Sequence, residues 1–244
     1  MREFGKYVIF LGTLLVRRER FITYYRLVLE ECIQIGVKST FLFVLVSTFM
    51  GAVTTVQTGY NLTSPLVPHF VISQVVRDMV LYELAPTIMA IIFAGKVGSS
   101  MAGGLGTMKI TEQIDALEVM GINSASYLAL PKIIASLLML PLLVVLAMVC
   151  AITGGYLVGT LTGIITPTEY IMGIRSYFDP YAITFALTKA FIFAFIISSV
   201  SCYKGYYTRG GALEVGHSST EAVTTSIISL LLSNYFLAQL LLNP

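Results

Sequence analysis

The chain has 244 residues, 56% of them hydrophobic and only 11% charged, with a net charge of +2 and a mean hydropathy of +0.84. Soluble domains carry about 25% charged residues, so a water-soluble globule is excluded. Ser39–Val76, Ile133–Thr168 and Ala222–Pro244 contain no Asp, Glu, Lys or Arg, and each exceeds the ~20 residues that cross hydrocarbon. This is the pattern of an all-α integral membrane protein, read as a single domain over 1–244. The 3 cysteines, Cys32, Cys150 and Cys202, have no paired spacing and read as small hydrophobes. Two histidines, His69 and His217, make a histidine-based metal centre or nucleophilic triad improbable.

Residues 1–32 are basic and amphipathic. Phe4, Tyr7, Val8, Leu11, Leu14 and Leu15 form one apolar helical stripe, and Arg17–Arg20 (RRER) stands where a signal peptide would place small residues. The expectation is a retained N-terminal helix lying in the membrane interface, with a signal sequence as the alternative; the bundle proper is 33–244. About five spans follow: Ile35–Thr58, Leu84–Gly104, Ile133–Gly163, Tyr181–Tyr203 and Ala222–Leu242. Asn61, Pro65 and Pro68 mark a turn-rich loop. Arg77, Asp78 and Glu83 set Val71–Glu83 outside mid-bilayer, as a helical lead-in to the second span. Pro86 suits that span's first turn, Pro131 marks entry to the third, and Pro141 is positioned to kink it.

Between spans two and three lies Gly95–Gly121, GKVGSSMAGGLGTMKITEQIDALEVMG. Its first half repeats small residues every four positions, as Gly95, Ser99, Gly103 and again as Gly98, Ala102, Gly106. Gly155, Gly159 and Gly163 repeat the spacing in span three. Such spacing lets helix backbones approach closely in lipid, or is ordinary membrane-helix composition. In the second half Thr111 is an N-cap candidate, Glu112 and Asp115 suit a first turn, and Gly121 suits a helix end. Ile110, Ile114 and Leu117 share one face beside an acidic stripe of Glu112, Asp115 and Glu118. The spacing predicts a short amphipathic helix over Glu112–Met120. It is either a solvated loop helix or a membrane-surface helix that docks on a soluble partner.

Orientation follows from Lys and Arg. With an inner N-terminus, the inner side holds Arg2, Lys6, Arg17, Arg18, Arg20, Arg26, Lys38, Lys109, Lys132, Lys204 and Arg209. The outer side holds Arg77 and Arg175. This places the short helix in the cytoplasm and the C-terminus outside. Lys96 and Lys189 fall within spans, where they snorkel, form a structural ion pair, or contact a lipid headgroup.

The run GKVGSS…LGTMKITEQIDALEVMG resembles the signature of the MlaE-type permeases, membrane subunits of lipid-transporting ABC systems that work with MCE proteins. The resemblance covers essentially the whole chain in length and segment order, and TEQIDALEVMG is its specific part. Many members carry an acidic residue just before the Leu-Gly pair; Gly104 stands there in this chain, so a role tied to that carboxylate has no residue to carry it. The resemblance implies a permease homodimer with two cytoplasmic P-loop ATPase subunits below and a periplasmic MCE-domain assembly above. Glu112, Gln113, Asp115, Leu117 and Glu118 would form the ATPase-coupling helix, and a phospholipid would occupy an apolar cavity between protomers. It also implies the inner membrane of a two-membrane bacterium. No GxxxxGK[ST] occurs, so this chain needs no cofactor of its own and the partner ATPase would bind ATP and Mg²⁺. A stand-alone secondary transporter or channel is the alternative, but the charge-free runs offer no coupling carboxylate and no inverted repeat is evident. An intramembrane enzyme lacks a paired nucleophile and base, Ser99, Ser100 and His217 notwithstanding. Nucleic-acid binding has no support, because the basic groups border the inner face.

Overall fold

A computed structural model describes residues 2–14, 21–62 and 68–242. Leu15, Arg17–Arg20 and Pro65, and the side chains of Arg2 and Phe4, lie outside the described residues. Among the described residues there is no strand. Eight helices follow in order: α1 (Arg2–Thr13), α2 (21–61), α3 (Phe70–Ile110), α4 (Gln113–Val119), α5 (Ser124–Leu161), α6 (Pro167–Arg175), α7 (Tyr181–Tyr206) and α8 (Ala212–Leu242). Five of them, α2, α3, α5, α7 and α8, are long and apolar enough to cross a membrane.

The long helices overrun the spans expected from hydropathy. At 1.5 Å per residue, the 41 residues of α3 extend about 60 Å, twice the ~30 Å of hydrocarbon. The lead-in Val71–Glu83 and the second span are therefore one helix, and the polar start of α8, from Ala212, belongs to the fifth span's helix. Residues 21–32 likewise continue into α2 instead of forming part of a separate N-terminal helix. Pro86 sits inside α3, not in its first turn, and Pro131 and Pro141 lie inside α5. Pro86 falls within a π-helical stretch, Val80–Ile88; two more π turns occupy Ile33–Val37 and Ala94–Gly98. A proline has no N–H to give, and the wider i→i+5 ladder absorbs the missing donor without ending the helix.

The chain forms two compact units. One comprises Met1–Lys38, Ala90–Leu140 and Phe191–Pro244; the other comprises Ser39–Met89 and Pro141–Ala190.

In the first unit, α3 lies against α7 and α8 through its Gly98, Ala102, Gly106 register. A Cβ at Gly98 would come within 2.8 Å of the Ser201 hydroxyl, and one at Gly106 within 3.2 Å of Thr208 and Val215. Gly205 returns the contact, since its Cβ would press on the Ala102 carbonyl at 2.5 Å. In the other register only Gly103 approaches a neighbour, Ser219 at 3.1 Å; Gly95 and Gly104 have nothing within 4 Å, so the packing expected of Gly95 is not made within this chain. On α1 the buried side chains are Tyr7 (half-buried), Phe10 and Leu14, while Val8 and Ile9 are exposed. Phe10 sits in a ring cluster with Tyr203, Tyr206 and Tyr207 at centroid distances of 5.8, 5.5 and 6.0 Å. The Tyr7 hydroxyl lies 2.7 Å from that of Ser199, so much of the apolar stripe of α1 is spent on protein.

In the second unit, α2 and α5 meet backbone to backbone. A Cβ on Gly51 would collide with the Ala151 carbonyl, and one on Gly154 with the Thr48 carbonyl. Gly155 and Gly159 pack against Thr55, as the spacing predicts, but Gly163 lies past the helix end at φ +72° and serves the turn instead. Helix α6 starts with a capping box. The Thr166 hydroxyl accepts from the Glu169 N–H, the Glu169 carboxylate accepts from the Thr166 N–H, and Pro167 fills the first turn. These Thr166 bonds hold the Glu169 carboxyl below its usual range. The same helix buries Tyr170 with Ile72 and Ile165. Burial pushes the Tyr170 hydroxyl up to about 12, and the bond to Thr55 pulls the other way.

Candidate functional site

The segment Ile110–Ser124 carries the most distinctive local geometry. Thr111 does not cap α4. Its hydroxyl donates back to the Thr107 carbonyl at 2.8 Å and closes α3. The N-cap is Glu112, which sits in left-handed backbone at φ +59° and offers no side-chain cap. Such a conformation costs a non-glycine residue about 1–3 kcal/mol and turns the chain sharply out of α3. Helix α4 is accordingly Gln113–Val119, seven residues, rather than Glu112–Met120. Its end is a Schellman closure at Gly121, φ +80°: the Ile122 N–H bonds the Leu117 carbonyl at 3.1 Å and the Gly121 N–H the Glu118 carbonyl at 2.9 Å.

The faces of α4 divide the predicted residues. Ile114 is fully buried and Leu117 half-buried, so the apolar stripe holds the helix to its own unit. Glu112, Gln113 and Asp115 are exposed. Asp115 pairs with Lys109 at 2.5 Å. Glu118 is exposed as well, but one of its oxygens is engaged, accepting from the Ser124 hydroxyl at 2.8 Å and from the Tyr206 hydroxyl at 3.0 Å. Beyond it, Val119 and Met120 stand 88% and 65% exposed. Asn123 secures the exit: its side-chain oxygen accepts from the Ser126 N–H, and its side-chain nitrogen donates to the Thr13 carbonyl at the end of α1. The result is a short helix fixed on one side and offering carboxylates next to bare apolar side chains on the other, which suits a protein partner better than a small ligand.

The two lysines inside spans differ. Lys189 is fully buried and pairs with Glu83 at 2.7 Å, while donating to the Tyr82 carbonyl at 3.1 Å and lying 4.6 Å from the Phe185 ring centre. The structural ion pair is thus its role in this conformation, and its ammonium has no open side for a headgroup. Lys96 is exposed, at the π turn of α3, and donates to the Lys38 carbonyl at 2.6 Å.

Arg77 is the residue of consequence that sequence reasoning left among the charges of the helical lead-in Val71–Glu83. It is buried, and one of its nitrogens donates to the carbonyls of Ile174 at 2.8 Å and Ser176 at 2.7 Å, with weaker contacts to Gly173 and Tyr177. It thereby closes the C-terminus of α6, as a cation should. Among the described residues, no group of three or more His, Cys, Asp or Glu side chains is placed to hold a metal ion.

Comparison with known proteins identifies the family. A family model described as "Permease MlaE" matches residues 28–240. A probable ABC transporter permease protein of Rickettsia bellii is 36% identical over 239 residues, 98% of this chain and 92% of the relative. A probable ABC transporter permease protein of Synechocystis sp. is 34% identical over 87% of this chain and 81% of its own length. The chloroplastic protein TRIGALACTOSYLDIACYLGLYCEROL 1 of Arabidopsis thaliana is 33% identical over 88% of this chain and 61% of its own length. The chain belongs to the MlaE permease family: it is a multi-pass membrane subunit of an ABC transporter, which works with an ATPase partner and is not itself an enzyme.

Proposed function

We propose that this chain is the permease of a transporter that moves phospholipid between the bacterial inner membrane and an MCE-protein conduit leading toward or from the outer membrane. The observation that carries the reading is α4, a rigidly seated helix that presents Glu112 and Asp115 beside the exposed Val119 and Met120. In this reading α4 is the coupling helix, and ATP and Mg²⁺ belong to the ATPase it contacts. The Lys and Arg asymmetry supports a cytoplasmic α4 and N-terminus and a periplasmic C-terminus. A lipid cargo is supported by the Arabidopsis relative, whose name contains a diacylglycerol lipid. A homodimer is supported by the five membrane-length helices, which are few for a complete transporter, and a two-tailed lipid would lie between the protomers. Lys96, exposed in its span, is the remaining candidate for a headgroup contact.

Purification from native membranes in mild detergent tests this. A P-loop ATPase, an MCE protein and bound phospholipid are expected by mass spectrometry. The chain alone as a stable monomer would return it to the stand-alone transporter class. Glu112→Lys combined with Asp115→Lys is expected to strip the ATPase from the complex, and full retention would remove the coupling role from α4.

A further inference from the structure

We propose that Glu118, Tyr206 and Ser124 are positioning residues that transmit movement of α4 to the long helices, and that they form no part of the surface that grips the ATPase. The proposal rests on the coupling reading of α4 and divides that helix into a gripping side and a transmitting side.

Two hydroxyls converge on one carboxylate oxygen of Glu118, from Ser124 at 2.8 Å and from Tyr206 at 3.0 Å, and the hydroxyls themselves lie 2.8 Å apart. Hydrogen bonds to an ionised acceptor are the stronger kind, and Ser124 is almost completely buried. The positions of the three residues matter as much as the bonds. Glu118 is in the last turn of α4, Tyr206 is the last residue of α7, and Ser124 is the first of α5. One carboxylate therefore ties the short helix to the ends of two membrane-length helices. Tyr206 is not free to follow Glu118 by swinging its ring, because Phe10 and Tyr207 lie against it with ring centres 5.5 and 5.2 Å away. A displacement of Glu118 has to move the end of α7 or break the bonds.

The exposed residues Val119 and Met120 come next in sequence, so a partner pushing on them loads Glu118 directly. Helix α4 is bounded at both ends by left-handed residues, Glu112 and Gly121. Without the Glu118 node it would be held by backbone, by Ile114 and Leu117 and by the Asp115–Lys109 pair, which leads back to α3. The node is a direct polar connection from α4 itself to α7.

The test uses the whole complex with the ATPase that co-purifies with it, reconstituted in phospholipid vesicles. Tyr206→Phe removes the hydroxyl and keeps the ring. The ATPase content per permease is expected to stay at the wild-type value, while fluorescent phospholipid moved per ATP hydrolysed falls about fivefold, the factor that goes with one ordinary hydrogen bond. Ser124→Ala removes the other hydroxyl and serves the same test if Tyr206→Phe does not fold. Unchanged lipid movement per ATP would overturn the proposal. Loss of ATPase from the complex would also overturn it, by making the node part of the docking surface. Glu112→Lys with Asp115→Lys, run alongside, separates the two levels: if that variant keeps its ATPase, the coupling reading itself fails whatever Tyr206→Phe does.

Discussion

Helices α4 and α6 make an instructive pair. Both are short, seven and nine residues, both join long helices, and each borders a non-glycine residue in left-handed backbone, Glu112 at φ +59° and Tyr177 at φ +48°. Their ends are finished differently. Helix α6 has a full capping box at its start and the Arg77 guanidinium on its final carbonyls. Helix α4 starts with no side-chain cap, and its outer face keeps Val119 and Met120 bare. Both helices keep apolar side chains bare, Ile171 and Met172 on α6 at 45% and 58% exposure, so what separates them is the finish of their ends. Helix α6 has side-chain partners at both termini, whereas α4 starts on left-handed backbone and is fixed from beneath through Ile114.

The contrast can be broken from either side. The largest effect is expected at α6. Arg77→Ala removes two strong charge-assisted bonds together and should cost about 3–5 kcal/mol, read as a large drop in thermal midpoint in detergent. An unchanged midpoint would mean that α6 needs no cation at its end. Ile114→Ala removes the one fully buried side chain of α4 and should cost roughly 2 kcal/mol. Here the loss should be local, seen as faster hydrogen exchange over 113–122 with the midpoint of the remaining helices little moved; uniform exchange would show that α4 is not a separable element. The smallest effect sharpens the comparison by pH. Thr166→Ala should cost about 1 kcal/mol. Because Glu169 has its carboxyl lowered by Thr166, its contribution is present above the unfolded Glu value near ~4.3 and is lost as pH falls through the lower folded value. Wild type should therefore lose α6 protection in acid, and Thr166→Ala should show less of that dependence.

How much of this was legible follows from how far apart the interacting residues stand. Three charge-free runs and two apolar stretches interrupted by Lys96 and Lys189 placed five membrane-length helices, because hydrocarbon thickness acts on local composition. Their ends were not legible, since α3 and α8 continue past the hydrocarbon on residues whose polarity looked like loop. The capping box over Thr166–Glu169 is a four-residue pattern and was open to view, although Thr166–Pro180 reads as a connection at first sight. The Schellman end was announced by Gly121. By contrast, Arg77 reaches carbonyls about a hundred residues away, and Glu118 meets Tyr206 at a separation of 88. No local spacing encodes either, so Arg77 was read as one of three charges on a lead-in helix and Glu118 as part of an acidic stripe. Glycine spacing offered two registers in α3 and could not choose between them; close contacts form at Gly98 and Gly106, while Gly95 has nothing within 4 Å.

The π turn in α3 has a consequence of its own. It spends five residues on about the rotation that an α turn takes from four, so the helix holds one residue more than its α ladder uses while the two flanks keep their phase. Removing one residue from 94–97 would therefore leave a continuous helix of nearly the same length, with Gly98 and Gly106 still facing Ser201 and Thr208. The surplus residue is slack in the thread, a place where the chain can lose a residue without turning the faces it packs with, and one that a substitution scan would never touch.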